Sequence, residues 1–240
     1  MSIAAIREVQ QQLKDAGFYT GIVDGAWGNL SRAALTACIA AGKGGNPVSE
    51  AKLDIAWSAK VSPAFCARVR QMAIDLKIPD LMINVGNGNT QRVTGADMLM
   101  ACMAFESGET FSPSIKNGAG APYYGLIQFG KAAATDVGTT VEALVKMTAE
   151  QQLEYVYLYF KPLTGKLKTV SDLYMKILWP AAVGKPEDFV LWTQKDRPTT
   201  YLQNKGLDVN KDGAITKAEA ASKVTDKLIR GLQPQFRRLL

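Results

Sequence analysis

The chain has 240 residues, a net charge of +6 at neutral pH and no histidine. Without histidine, Ser-His-Asp catalysis, Cys-His catalysis and histidine-ligated zinc hydrolases are excluded, so acid–base chemistry falls mainly to carboxyl groups. Hydrophobic residues make up 47% of the chain, and no apolar run reaches the roughly 18 residues of a membrane span. We therefore expect a globular protein without transmembrane helices.

The N-terminal stretch MSIAAIREVQQQLKDAG is amphipathic rather than apolar, so we expect synthesis in the cytoplasm without a secretory signal. The cysteines Cys38, Cys66 and Cys102 lack CxxC spacing and lie in helical apolar patterns, which predicts buried, inert thiols. The positive charge favours an anionic partner. Because the basic residues are not interleaved with stacking aromatics, we expect no nucleic-acid partner. Nothing in the sequence suggests more than a monomer.

Helical periodicity and capping signals predict a mainly α protein. The predicted helices cover residues 3–16, 31–41, 50–60, 63–78, 94–107, 148–161 and 170–179, and their predicted N-caps include Ser31, Ser49, Ser62, Thr94 and Thr148. Residues 84–92 are polar and glycine-rich, which predicts a surface loop. A boundary near residues 58–62 separates a small three-helix unit, residues 1–60, from a larger helical domain, residues 61–240.

Glycines and an aspartate between the first two helices predict a tight turn. The pattern L-x3-G-[FY]-x2-G-x-[VI]-D-G-x-[FWY]-G-x2-[ST] is matched at Leu13, Gly17, Phe18, Gly21, Val23, Asp24, Gly25, Trp27, Gly28 and Ser31. It resembles the three-helix peptidoglycan-binding domains of cell-wall hydrolases. The resemblance implies that Asp24, Trp27 and Arg32 contact the wall polymer. In the alternative interpretation, Asp24 and Trp27 only shape the fold.

A carboxyl group interrupts the apolar face of the helix predicted over 94–107. That face carries, at i, i+3, i+4 and i+7 spacing, Leu99, Cys102, Met103 and Glu106. Partial burial and the negative end of the helix dipole both disfavour the ionised form of Glu106. A carboxyl group that stays protonated near neutral pH can protonate a glycosidic oxygen, so Glu106 is the predicted general acid. We expect Asp97 to be a helix-start residue. Glu109 is an alternative second carboxyl group, but its place three residues beyond Glu106, across a glycine, predicts that it lies on the surface.

The stretches ESGETFSPSIKN and YYGLIQFG resemble the Glu-Ser and Gly-Leu-x-Gln motifs of the lysozyme-like transglycosylase superfamily. Later stretches, QLEYVYLYFKP, LYMKILWPAAVGKPE and TYLQNKGLDVNKDGAITKAEA, are similar to the catalytic domains of phage endolysins that attack Gram-negative walls. The whole chain thus resembles a modular phage endolysin with a lysozyme-like helical catalytic domain. The resemblance implies substrate-binding roles for Ser107, Tyr124, Gly125, Gln128, Tyr159 and Tyr174, although apolar packing is an alternative role for each tyrosine.

Within this resemblance Ser107 and Gln128 position the sugar or hold Glu106, and Gly125 lets the backbone approach the glycan. The implied reaction is cleavage of the β-1,4 bond between MurNAc and GlcNAc in peptidoglycan strands. A single carboxyl group suits lytic transglycosylation, in which groups of the sugar itself replace an enzyme nucleophile and water. The alternatives are a hydrolytic muramidase with the same acid and a non-catalytic wall-binding virion protein. Without a signal sequence, holin-type release would have to give access to the periplasm.

Residues 208–219, DVNKDGAITKAE, match the EF-hand calcium loop, with Gly213 at the sharp turn. The predicted Ca²⁺ ligands are Asp208, Asn210, Asp212, the carbonyl of Ala214, Thr216 and Glu219. A single loop in an enzyme suggests a structural ion, and a self-bonded polar turn is the alternative.

The end of the chain is basic, with Lys223, Lys227, Arg230, Arg237 and Arg238 interleaved with Val224, Leu228 and Leu232. This pattern predicts either contact with anionic outer-membrane lipid or a docked terminal helix.

Overall fold

The computed structural model describes residues 3–41 and 53–239, and over these residues the protein is mainly α-helical, as predicted. The α-helices are α1 (Ile3–Asp15), α2 (Asn29–Ala40), α3 (Pro63–Asp75), α4 (Gly95–Glu106), α5 (Lys131–Asp136), α6 (Val141–Leu144), α7 (Ala149–Phe160), α8 (Val170–Leu178), α9 (Pro198–Asn204) and α10 (Lys217–Gly231). The strands are β1 (Leu81–Gly86), β2 (Asn89–Val93), β3 (Val190–Thr193) and β4 (Ala214–Thr216), paired antiparallel as β1–β2 and β3–β4. None of the described helices is long and apolar enough to cross a membrane.

The predicted caps of three helices are confirmed. The hydroxyl of Ser62 accepts a hydrogen bond from the backbone of Phe65 at the start of α3. At α4 and α7 the capping residue and the third helical residue bond reciprocally, in the pairs Thr94–Asp97 and Thr148–Gln151. These devices satisfy backbone N–H groups that the first helical turn leaves without partners.

The prediction for α2 was wrong at its start. The helix begins at Asn29, and Gly28 occupies the N-cap position without a side-chain hydrogen bond. Ser31 is buried instead, and its hydroxyl accepts a hydrogen bond from the amide of Gln10 over 3.1 Å.

The helix predicted over 50–60 is not seen over its described part, where a single 3-10 turn covers Ser58–Lys60. The cap at Ser49 and the start of that helix lie outside the described residues.

The prediction of a surface loop over 84–92 was wrong, because these residues belong to the β1–β2 hairpin. Leu81 pairs with Val93 and Ile83 with Gln91. Side chains along β1 alternate between partly buried and exposed, as expected of a strand with one face on the core. The turn contains Asn87-Gly88, both in the left-handed region at φ 52° and 73°, which is the residue pair that tight hairpins favour.

The larger hydrophobic core surrounds α4, which packs against α3, α8 and α10. Every residue of α4 from Gly95 to Ala104 is buried. One apolar face was predicted for this helix, but it is buried on all sides and forms the centre of the domain.

A second, smaller core lies between α1 and α2. Its buried members are Val9, Leu13, Tyr19, Ala34, Leu35, Cys38, Leu53 and Leu239. The last of these comes from the C-terminal end of the chain, which forms an isolated antiparallel bridge with Leu53. The predicted burial of Cys38, Cys66 and Cys102 is confirmed.

The basic C-terminal stretch is docked on the protein. Val224 and Leu228 of α10 are fully buried in the larger core. The guanidinium of Arg237 donates to the carbonyl of Asp54 over 2.6 Å, and the backbone N–H of Arg238 donates to the hydroxyl of Ser58 over 2.8 Å. These contacts favour the docked terminal helix over an arm that is free to reach lipid.

Candidate active site

Glu106 is the last residue of α4, so its carboxyl group emerges where the central helix reaches the edge of the core. The side chain is partly buried, and burial raises its pKa from an ordinary value of 4.5 to about 8. Removal from water disfavours the charged form of a carboxyl group. Glu106 is therefore protonated at neutral pH and still reaches the surface.

Aromatic side chains from two other helices contribute to the surroundings of Glu106. Tyr174 of α8 is 3% exposed, and burial together with the charge of Glu106 raises the pKa of its phenol. Its ring packs edge-on against Phe105 with the centroids 5.4 Å apart. Burial raises the pKa of Tyr159 on α7 to about 12, with smaller contributions from the negative charges of Asp136 and Glu106.

The chain segment after Glu106 is held in an unusual backbone conformation. The hydroxyl of Ser107, which is 1% exposed, accepts a hydrogen bond from the backbone of Phe111 over 3.0 Å. Phe111 and Glu109 both have positive φ values, of 52° and 66°. Ser107 thus holds this segment in place, and a direct contact with sugar stays a prediction.

Glu109 is not the free surface residue that was predicted. Its carboxylate is partly buried and forms ion pairs with Lys227 and, over 3.1 Å, with Arg230, both on α10. Two cations of the basic C-terminal stretch are thereby engaged within the protein. The segment after Glu106 is tied to α10, and Glu109 is occupied as a structural anion.

Gly125 lies where the loop after α4 approaches α7. At its φ of +83°, a Cβ atom would lie 2.3 Å from the amide oxygen of Gln152. Gln152 is fully buried, accepts from the backbone of Leu126 over 2.7 Å and donates to the carbonyls of Pro113 and Leu144. The absence of a side chain at Gly125 therefore lets the Gln152 amide pack against the backbone.

Gln152 was not among the predicted residues, although its position in the sequence carries a signal. It precedes Val156 by four residues and Phe160 by eight, so it stands as a polar residue on the apolar face of α7.

Gln128 and Tyr159 line a groove of about 390 Å³. We call it the Tyr159 groove, with lining residues Pro122, Tyr123, Ile127, Gln128, Phe129, Gly130, Lys131, Ala132, Ala133, Tyr159 and Ile177. Tyr159 lines this groove, and the ionised form of Glu106 makes a small contribution to the raised pKa of its phenol. The amide oxygen of Gln128 is buried and has no hydrogen-bond partner among the described residues.

Lys176 is a second residue of this region that the sequence did not reveal. Its ammonium group lies 4.2 Å from the centroid of the Tyr159 ring, and its carbonyl accepts the Tyr159 hydroxyl hydrogen over 2.8 Å. Burial lowers the pKa of Lys176. The cation and the hydrogen bond together fix the Tyr159 ring in the wall of the groove.

Tyr124 lines a neighbouring groove of about 560 Å³. We call it the Lys131 groove, with lining residues Pro122, Tyr124, Lys131, Thr135, Thr139, Thr140, Val141, Glu142 and Val145. Tyr159 and Tyr124 thus each line a groove, whereas the buried Tyr174 lines neither of them.

The residues predicted to bind the wall polymer lie in or near the turn between α1 and α2. Trp27 is partly buried, and the side chains of Asp24 and Arg32 are exposed. Asp24 accepts hydrogen bonds from the backbone of Ala26 and the side chain of Gln10, and both lower its pKa. Asp24 therefore shapes the turn, and a contact with polymer stays a prediction for all three residues.

Gln10 is the buried hub of this unit and was not identified from the sequence. Its amide oxygen accepts from the backbone of Gly25 over 2.8 Å. Its amide nitrogen lies within 3.1 Å of Tyr19 Oη, Asp24 Oδ1, the Ala26 carbonyl and Ser31 Oγ.

The predicted calcium loop runs from the end of α9 into α10. The hydroxyl of Tyr201 donates to Asp208 Oδ2 over 2.6 Å, and Asp208 Oδ1 is buried without a hydrogen-bond partner among the described residues. Gly213 turns the chain at φ +85°, and Ile215 is fully buried.

Four other predicted ligands bond to one another within the loop. Asn210 donates to Asp212 over 3.0 Å, and Glu219 accepts from Thr216 in the capping box of α10. Across the described part of the chain, no three acidic, cysteine or histidine side chains are grouped as a metal site. The loop's own polar contacts thus occupy several of the oxygens that would bind an ion.

Comparison with known proteins adds no relative. No protein-family model matches the chain, and no curated protein matches it significantly.

Proposed function

We propose that the protein cleaves the β-1,4 bond between MurNAc and GlcNAc in peptidoglycan, with Glu106 as the general acid. The observation that carries this proposal is the position of Glu106, a half-buried carboxyl group at the end of the central helix with its pKa raised to about 8. Such a group holds a proton at neutral pH and can transfer it to a glycosidic oxygen. The resemblance of its sequence motifs to lysozyme-like transglycosylases supplies the substrate class.

The reaction we favour is lytic transglycosylation. Glu106 donates its proton to the bridging oxygen as the bond from that oxygen to C1 of MurNAc breaks. The N-acetyl oxygen of the same sugar stabilises the positive charge that forms at C1. The ionised Glu106 then takes the proton of the 6-hydroxyl group as that oxygen bonds to C1, which gives a 1,6-anhydro sugar and restores the acid.

Hydrolysis by the same acid is the alternative within the glycosidase class, and it would require a base or nucleophile for water. Glu109 is a poor candidate for that role because Lys227 and Arg230 neutralise it. We propose further that the unit of α1 and α2 binds peptidoglycan and so raises the local concentration of substrate. Release through a holin-type route would bring the protein to its substrate in the periplasm.

A structural calcium ion is part of the proposal. The loop at 208–219 supplies carboxylate, amide and carbonyl oxygens, the donor types that Ca²⁺ prefers. The support in the fold is the buried Oδ1 of Asp208, which has no hydrogen-bond partner within the described part of the chain and lies beside a cavity of about 540 Å³. Asp208, Asp212 and Glu219 would hold the ion, which would fix the start of α10.

The test is the Glu106→Gln variant on purified peptidoglycan and on cells stripped of their outer membrane. We expect binding to persist and lysis to fall at least a thousandfold, because the amide has no acidic proton to transfer to the bridging oxygen. Mass spectrometry of wild-type products separates the two reactions, since transglycosylation gives anhydro muropeptides and hydrolysis gives reducing ends. Undiminished lysis by the variant would refute the acid, and binding without any wild-type turnover would indicate a wall-binding protein.

A further inference from the structure

The end of α4 closes in a hydrogen-bonded turn that contains Glu106. The backbone N–H of Glu109 donates to the carbonyl of Ala104 over 2.7 Å. Gly108, in the left-handed region at φ 58°, donates to the carbonyl of Phe105 over 3.3 Å. These two bonds form the Schellman motif, which ends many helices. Because Glu106 lies between the bonded ends, this turn fixes the direction in which its carboxyl group leaves the helix.

Glu109 continues the turn in a conformation that is costly for a residue other than glycine. Its φ is 66°, directly after the left-handed Gly108. Such backbone persists only where the surroundings hold it, and it is frequent at functional sites. Here the side chain provides the hold, because its carboxylate accepts from Lys227 and lies 3.1 Å from Nε of Arg230. A glycine would suit the backbone better, but it would lose both ion pairs.

The two cations that bind Glu109 belong to a helix that is itself fixed. α10 packs against α4 and α8 in the larger core. The carbonyl of Lys227 accepts from the indole Nε1 of Trp57 over 3.0 Å. The guanidinium group of Arg230 lies 4.8 Å from the centroid of the Phe236 ring. The turn at the end of α4 is therefore anchored by charge to a rigid element.

The far end of the segment after α4 is held in a different way. Phe111, also left-handed at φ 52°, is 3% exposed. Its ring centroid lies 6.3 Å from that of Trp57 and 6.1 Å from that of Phe65. Apolar packing thus holds Phe111, whereas ion pairs hold Glu109. Of these two residues, Glu109 is the one whose backbone closes the turn that contains Glu106.

We propose that Glu109 is a positioning residue for the acid, because its ion pairs with Lys227 and Arg230 hold the last turn of α4 and thereby aim Glu106. This inference rests on the proposed glycosidase function. Glu109 lines neither the Tyr159 groove nor the Lys131 groove, and its carboxylate is engaged on α10, so we assign it no contact with substrate. Misplacement of a catalytic group by about 1 Å can lower a rate about a hundredfold. A loosened turn would therefore lower kcat without weakening substrate binding.

The kinetic test measures the cleavage of soluble peptidoglycan strands by full-length variants, well below the Tm of each. In Glu109→Gln we expect kcat to fall at least tenfold and KM to stay within twofold of the wild type. Lys227→Gln together with Arg230→Gln should reproduce this loss. Adding Glu109→Gln to that pair should lower kcat by no more than a further twofold, because all three substitutions break the same contact. Lys223→Gln changes an exposed lysine of the same helix, so this matched control should keep the wild-type kcat.

A second measurement examines the turn without turnover. Amide hydrogen exchange is followed by NMR at Gly108 and Glu109, which donate the two bonds of the turn, and at Val156 in the interior of α7. Val156 reports global unfolding, so it separates a loosened turn from a less stable protein. In Glu109→Gln we expect exchange at residues 108 and 109 to accelerate at least tenfold more than at Val156. Lys223→Gln should leave all three rates unchanged.

Three results would overturn the positioning role of Glu109 in an active wild type. They are an unchanged kcat in Glu109→Gln, a loss of activity through KM, and exchange that accelerates no more at Gly108 than at Val156. A wild type that does not cleave the strands would instead refute the glycosidase function, and the catalytic meaning of the turn with it. The two failures are thus distinguishable.

Discussion

Lys217 donates a hydrogen bond from its ammonium group to Asp172 Oδ1 over 2.7 Å, and both side chains are buried. Burial alone would raise the pKa of Asp172, yet hydrogen bonds from Lys217, Gly184 and Lys168 bring it below its ordinary value. The carbonyl of Lys185 accepts a second bond from Lys217, also over 2.7 Å. This pair joins the first turn of α10, which is also the end of the predicted calcium loop, to α8.

We expect Lys217→Met to destabilise the protein by about 3 kcal/mol, because it leaves the buried charge of Asp172 without its cationic partner. Urea denaturation followed by circular dichroism measures the loss. Lys223→Met is the matched control, since this lysine lies on the same helix and is exposed. We expect a change within about 0.5 kcal/mol for that control. A similar, small effect of both substitutions would contradict the structural role of the pair.

The pH dependence of activity follows from the raised pKa of Glu106. The acid is protonated below a pKa of about 8, so kcat/KM on purified peptidoglycan should be flat from pH 6 to pH 7.5. Above pH 8 it should fall about tenfold per pH unit, as the proton donor is lost. A decline that begins near pH 5 would show that Glu106 titrates like an exposed carboxyl group.

The same pKa predicts that Glu106 lowers stability at neutral pH. Its pKa is about 8 when folded and near 4.5 when unfolded, so the unfolded chain releases a proton that the folded protein retains between these values. Stability therefore falls as pH rises through this window. Glu106→Gln removes the effect, and we expect a gain of about 3 kcal/mol at pH 7, or roughly 9 °C in Tm.

Calorimetry of Glu106→Gln and the wild type at pH 5, 6, 7 and 8 measures this difference, which should widen with pH. Glu109→Gln is a useful control, because it removes ion pairs with Lys227 and Arg230 and should lower Tm. A constant gap between Glu106→Gln and the wild type would mean that burial does not shift the titration of Glu106.

Local features of the fold were predictable because their physical causes lie within a few residues. Capping boxes such as Thr94–Asp97 involve neighbours in sequence, and so does the placement of Glu106 at a helix end. The β1–β2 hairpin was missed because its polar turn outweighed the short alternation in residues 81–86. Asn87-Gly88 was a usable signal for it.

Features that depend on distant partners could not be predicted. Gln152 bonds to Leu126 across 26 residues, and Lys217 reaches Asp172 across 45. A sequence shows that a polar residue lies on an apolar face, but it does not show which distant group forms a hydrogen bond with it. The ion pairs of Glu109 could not be predicted for the same reason, because its partners lie on α10.

Gly125 offers a test of the contact that holds the loop beside the acid. Gly125→Ala should destabilise the protein through a left-handed backbone and through a clash with Gln152. Gly120 has the same φ of +83° and open space around it, so Gly120→Ala has the backbone cost alone. We expect about 1 kcal/mol for Gly120→Ala and about 3 kcal/mol for Gly125→Ala. Equal losses in urea denaturation would show that Gln152 yields without cost.

Calcium binding is expected to stabilise only the folded protein, because the loop oxygens converge only there. Adding 1 mM Ca²⁺ to metal-free protein should raise Tm by roughly 5 °C, and EDTA should reverse the rise. Asp212→Asn should abolish the shift by removing a ligand charge. Asp226→Asn, an exposed aspartate of α10 outside the loop, should keep it.

Tyr201→Phe tests whether a hydrogen bond to Asp208 contributes to calcium binding. Loss of the Tyr201 hydroxyl removes the shorter of two hydrogen bonds to Asp208 Oδ2, the other coming from the Gly213 backbone over 3.2 Å, so Asp208 is less well placed to bind an ion. We expect the calcium-dependent rise in Tm to need at least threefold more Ca²⁺ in this variant, as outer hydrogen bonds orient metal ligands. If Ca²⁺ leaves the Tm of the metal-free wild type unchanged, residues 208–219 form a self-bonded turn and no calcium site.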